Sequence, residues 1–151
     1  FFRLAASHSM LGIILGDIGR RLELSEDAQE SFFRSLGLLD AAVRKGESIS
    51  QDMAYCVFFW PWVQEILQEK GSFSGDRARL LMDEITAATM PVVIPKALRS
   101  NVAHTLYILD RMLNALRTGR MKRTLTRRAR YADAARLFAF MEQKKEGNRK
   151  K

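Results

Sequence analysis

The sequence predicts an all-α domain of six or seven helices in antiparallel pairs, a helical-repeat (α–α superhelix) plan, and three observations predict it. Apolar residues recur at three- and four-residue intervals along most of the 151 residues. Three of the periodic stretches open on a hydroxyl residue followed by an acid and three close on glycine, the signals that begin and end helices. No pair of alternating apolar runs flanks a two-residue turn, so no β-hairpin signal competes.

Leu4, Leu11, Ile14, Leu15 and Ile18 trace one face of a first helix, read from Leu4 to Leu22. Gly12, Gly16 and Gly19 weaken it, yet their helical spacing offers a strip on which another helix can approach closely. Ser25-Glu26-Asp27 places a capping hydroxyl and first-turn acids before Phe32, Phe33, Leu36, Leu39 and Val43. Arg44-Lys45-Gly46 closes that helix with cations and a terminal glycine. Ser50-Gln51-Asp52 begins a third, which continues through Val63, Ile66 and Leu67 to Gly71; Pro61 either kinks it or starts its second segment.

Ser74-Gly75-Asp76 opens a fourth helix with Ala78, Leu81, Met82 and Ile85 on one face. Met90-Pro91-Val92-Val93-Ile94-Pro95 follows as extended linker. Val102, Leu106, Leu109, Leu113 and Leu116 form the buried stripe of a long helix over 98–118, with Ile108 and Met112 beside it and Gly119 at its end. Residues 120–130 read as a loop with a short helical turn. A last helix over 130–146 buries Ala134, Leu137, Phe138 and Met141, and the cationic tail 144–151 is expected to fray.

A hydrophobic fraction of 47% supports one packed core. Cys56 has no second cysteine to pair with, and its apolar neighbours make it a buried, inert thiol. No apolar run reaches the ~20 residues of a membrane-spanning helix. His8 and His104 stand apart from each other and from any metal-spaced cluster. Gly12-x-x-x-Gly16 lacks the Lys-Ser/Thr pair of a phosphate loop. No nucleophile, base and orienting group can be assembled, so neither an enzyme, a cofactor, a metal nor a small-molecule substrate is expected. The opening Phe1-Phe2-Arg3-Leu4-Ala5-Ala6-Ser7 is acid-free and rich in small residues, which suits the neighbourhood of a mitochondrial transit peptide and a matrix location; trimming of a longer chain accounts for it equally.

Two helix pairs share a pattern in their second helices. Ala78-x-x-Leu81-Met82-x-x-Ile85 and Ala134-x-x-Leu137-Phe138-x-x-Met141 both put a small residue where paired helices cross and large ones three, four and seven positions later on the same face. The second copy resembles the pentatricopeptide repeat, whose second helix carries Ala-x-x-Leu-Phe-x-x-Met; the first matches more loosely. The two alanines are 56 residues apart, against a period of about 34 for helix-pair repeats. The aromatic run Tyr55 to Trp62 stands where RNA-reading members place small polar residues, so the resemblance implies no base-reading code. In size and helix-pair plan the chain is also similar to the pentatricopeptide-like accessory subunits on the catalytic sector of the mitochondrial ATP synthase of euglenozoan protists. That resemblance implies a structural, protein-docked role within a large complex.

Charge is divided unevenly. Residues 1–95 hold nine Lys/Arg against thirteen Asp/Glu, whereas residues 96–151 hold sixteen against four, and the net charge is +8. Arg117, Arg120, Lys122, Arg123, Arg127, Arg128 and Arg130 fall within fourteen residues that contain no acid. Such a run points to an anionic partner, either an acidic face of a protein subunit or, alternatively, the phosphates of ribosomal or other mitochondrial RNA. Phe58, Phe59, Trp60 and Trp62 are too many rings for one side of a helix to hide, and some are expected to anchor a partner together with Phe140.

Overall fold

A computed structural model describes residues 2–70, 77–89 and 93–149 of the chain. It contains eight helices and no strand among those residues: α1 (Phe2–Ser7), α2 (Leu11–Leu24), α3 (Glu26–Arg44), α4 (Gln51–Lys70), α5 (Arg77–Thr89), α6 (Lys96–Thr118), α7 (Arg123–Thr126) and α8 (Tyr131–Arg149). The all-α expectation holds. The expected helix end at Gly71, the start at Ser74-Gly75-Asp76, the linker residues Met90 to Val92, the side chain of Ala78 and the last two residues of the tail lie outside the described residues. Through the rest of the tail, α8 runs on to Arg149.

Capping chemistry sets several of the boundaries. The Ser25 hydroxyl accepts the Ala28 N–H at 3.2 Å, and the Ser50 hydroxyl accepts the Met53 N–H at 3.2 Å. α3 and α6 both end in a left-handed glycine, Gly46 at φ 77° and Gly119 at φ 66°. In each, the two N–H groups beyond the helix turn back to orphan carbonyls: Gly46 to Val43 and Glu47 to Ala42, Gly119 to Leu116 and Arg120 to Ala115. Pro61 lies inside α4, which continues through it.

The N-terminal segment departs from the expected single helix. Its first break falls at Ser9, which adopts φ 52° and ends α1 just as the glycines end the others, with Ser9 N–H on Ala6 O and Met10 N–H on Ala5 O. The second falls at Gly16, whose φ 60° and ψ −135° reverse the chain inside α2. Leu11 to Leu15 therefore folds back on the segment after Gly16: the Gly12 N–H reaches Glu23 Oε1 at 3.2 Å, and a Cβ on Gly19 would sit 1.8 Å from the Leu11 carbonyl oxygen. The glycine strip admits a close approach, but the approaching backbone belongs to the same segment.

Five helices close into a ring, α2 against α3, α3 against α4, α4 against α6, α6 against α5, and α5 back against α2. α8 covers α6 and α4, α7 rests on α6, and α1 packs on α2. In a solenoid each repeat touches only its neighbours in sequence. The contact of α2 with α5 instead joins helices that α3 and α4 separate in sequence, so the core is a closed cluster. Cys56, Val57, Phe59, Trp60, Trp62, Val63 and Ile66 are all buried along α4, whose stretch from Met53 to Val63 is apolar on every face.

Candidate anionic-partner interface

The cationic run forms an arch from the end of α6 to the start of α8. Gly119 stops α6 and turns the chain out, leaving Arg117 in the last helical turn, where a cation complements the helix dipole. Lys122 is extended at φ −82° and ψ 133°, and α7 then makes a single turn. Backbone bonds hold the arch in shape: Leu125 N–H to Lys122 O at 2.9 Å, Arg128 N–H to Leu125 O at 3.1 Å and Tyr131 N–H to Arg128 O at 3.0 Å. Leu125 is buried and pins the middle of the arch to the body.

The structure divides the seven cations. Arg117, Arg120, Lys122, Arg123, Arg127 and Arg128 are exposed, and among the described residues none of the six makes an ion pair; Arg117 donates only to Asn114 Oδ1 at 3.3 Å. Arg130 turns inward. It lies 3.1 Å from Asp133 and 3.8 Å from Asp52 and donates to Asn101 Oδ1, while Asn101 Nδ2 donates to Asp52 at 3.0 Å. Arg130 thus belongs to a latch that ties the entry of α8 to α4 and α6, and not to the outward surface.

A polar cavity of about 380 Å³ lies beside this latch, lined by Ser48, Ser50, Asp52, Cys56, Thr105, Arg130, Asp133 and Arg136 among others. Burial pushes the Cys56 thiol up to about 12, with the Asp52 and Asp133 carboxylates adding to the rise and the Thr105 hydrogen bond and Arg130 opposing it. A thiol so held is neutral at physiological pH and a poor nucleophile, in keeping with the inert role its sequence context suggested. No histidine lines the cavity. His104 is exposed on α6 with Nδ1 2.7 Å from the Ser100 carbonyl, and His8 is exposed between α1 and α2. Among the described residues no group of three His, Cys, Asp or Glu side chains is placed to hold a metal, and no helix is long and apolar enough to cross a membrane.

The aromatic part of the expected interface is corrected. Phe59, Trp60, Trp62 and Phe140 are 1%, 6%, 4% and 8% exposed, and Phe58 is half-buried against Phe32 and Phe59. The expectation allowed this helix only one buried side. It is central, with α3, α6 and α8 around it, so rings on several faces all point into the core. What the sequence reading missed instead are two apolar side chains on the arch itself, Leu116 at 53% and Met121 at 40% exposure. Periodicity places Leu116 in the buried stripe of α6, but its position in the last turn carries it beyond the body of the bundle.

Comparison with known proteins returns no match among family models, curated proteins or solved structures.

Proposed function

We propose that this chain is a non-catalytic accessory subunit that docks on an acidic protein face of a larger complex through the arch 117–128. One observation carries the reading. Six cations stand outward on a shaped, anchored segment without a carboxylate partner among the described residues, while the seventh, Arg130, is turned in. Five of the six are arginines, whose planar fork can engage carboxylates in two parallel hydrogen bonds. Leu116 and Met121 add apolar contact among the charges, which suits a protein face better than a bare phosphate backbone. Recognition of single-stranded RNA relies on exposed aromatic platforms, and the rings of α4 are spent on the core.

The finer form of the proposal is an accessory subunit on the catalytic sector of mitochondrial ATP synthase, in the matrix. It is supported by the Ala134-Leu137-Phe138-Met141 pattern on α8 and by the size of the chain. Native-gel migration and co-purification test both forms. The tagged chain is expected to migrate in a large assembly that survives ribonuclease, and a variant with Arg120, Arg123, Arg127 and Arg128 all changed to Gln is expected to be released from it. Co-migration with ATP synthase identifies that host. Release by ribonuclease would assign the arch to RNA, and undiminished assembly of the fourfold variant would remove the arch from the interface altogether.

A further inference from the structure

The ring of helices holds a second cavity of different character, about 430 Å³ between α2, α3 and the first half of α4. Leu15, Ile18, Leu36, Leu39, Phe58 and Phe59 supply most of its wall. α1 closes one side, since Phe2 reaches the cavity and packs with ring centroids 6.0 Å from Phe32 and 6.3 Å from Phe58. The next residue, Arg3, is exposed and holds its guanidinium 4.8 Å from the centroid of Phe33, one helical turn before the lining Leu36. Tyr55 also lines the space, stacked on Phe59 at 6.1 Å, and its hydroxyl makes no hydrogen bond among the described residues.

The cavity is an apolar cleft open to solvent on one side, and its volume falls inside the ~300–1,000 Å³ range of small-molecule pockets between helices. Hydrocarbon gains from leaving water for such a wall, whereas water gains no partners there. The lining carries no charged side chain, and Arg3, next in the chain to the lining Phe2, is a cation that would favour an anionic outer end. We propose that the cavity binds a linear amphiphile with one anionic head, of the medium-chain alkyl carboxylate class. The tail lies among α2, α3 and α4, and the head lies at Arg3. This site is separate from the arch and adds a small-molecule ligand to a chain whose sequence suggested none.

Isothermal titration of the full chain with hexanoate, octanoate, decanoate and dodecanoate below their micellar concentrations tests it. Affinity is expected to rise about fourfold per added methylene and then to level off once the cavity is filled. Ala54→Leu inserts three carbons at the lining and is expected to weaken decanoate about tenfold; Leu39→Phe serves as an independent filling variant, with far-UV circular dichroism confirming that each is folded. Arg3→Ala is expected to weaken decanoate by about two- to fivefold and leave decanol unchanged. Undetectable dodecanoate binding, an affinity indifferent to chain length, or full decanoate affinity in both folded filling variants overturns the site. Equal losses for decanoate and decanol in Arg3→Ala overturn the assignment of the head.

Discussion

Phe59 shows how one side chain commits α4 to the centre of the molecule. It is 1% exposed and touches Tyr55, Phe58 and Trp62 by its ring alone. Phe59→Ala is therefore expected to destabilise the fold by about 3–5 kcal/mol in urea unfolding, whereas Leu116→Ala on the exposed arch should stay within about 0.5 kcal/mol of the parent. A loss below ~1 kcal/mol at Phe59 would mean that α4 is not enclosed. Cys56, three residues earlier, makes a pH prediction. Its folded thiol titrates at about 12 against an ordinary 9.0. Between those values the unfolded chain loses the proton while the folded one keeps it, so the stability tied to the neutral thiol is complete below pH 9 and falls as pH rises toward 12. The slope from this group is at most ~1.4 kcal/mol per pH unit, and Cys56→Ala should flatten the alkaline limb of the stability profile by up to that amount. An unchanged limb would place the thiol in contact with solvent. The burial of Cys56 was legible from its neighbours in sequence. The burial of Trp60 and Trp62 was not, because periodicity records which faces of a helix are apolar and says nothing of how many faces other helices cover.

At the scale of the element, the glycines divide into those that shape the chain and those that do not. The helix ends at Gly46 and Gly119 could be read directly, since a left-handed residue after a helix is usually glycine. Ser9 closes α1 by the same hydrogen bonds without the residue that announces it, and so the break between α1 and α2 left no mark in the sequence. Ser9→Gly is expected to stabilise the protein by about 0.5–1 kcal/mol by relieving the left-handed serine. Gly19→Ala should be among the most damaging single changes in the chain. Its methyl would meet the Leu11 carbonyl carbon and oxygen, which are backbone atoms fixed by the reversal at Gly16. Gly37→Ala is the matched control: its Cβ meets nothing within 4 Å on the exposed side of α3, and the helix should gain about 0.5–1 kcal/mol. Thermal unfolding of the three variants measures these signs. Equal behaviour of Gly19→Ala and Gly37→Ala would show that the fold-back of Leu11 to Leu15 does not form. The spacing of Gly12, Gly16 and Gly19 revealed that backbones meet there, but a single sequence could not say which backbones.

At the scale of the whole molecule, the excess positive charge is concentrated in the part that the fold uses least. The six outward cations of the arch have no carboxylate among the described residues, so their mutual repulsion opposes folding and is relieved by salt. Arg130 works in the opposite direction, since removing it leaves Asp52 and Asp133 beside each other without their shared cation and takes a donor from Asn101. The sequence showed the seven as one equal group; only the position of α8 over α4 and α6 distinguishes the last from the other six. Changing Arg120, Arg123, Arg127 and Arg128 together to Gln is therefore expected to leave the isolated chain as stable as the parent or slightly more so at low salt. The same variant should lose much of the parent's rise in thermal midpoint between about 10 and 150 mM salt, a range over which the screening length shrinks from ~30 Å to ~8 Å. Arg130→Gln alone should cost about 1–2 kcal/mol and keep most of that cost at high salt, because its half-exposed pairs with Asp52 and Asp133 are partly screened whereas the hydrogen bond lost to Asn101 is not. If the fourfold variant unfolded as readily as Arg130→Gln, the arch would be part of what holds the bundle together, and a surface kept free for a partner could not be inferred from it.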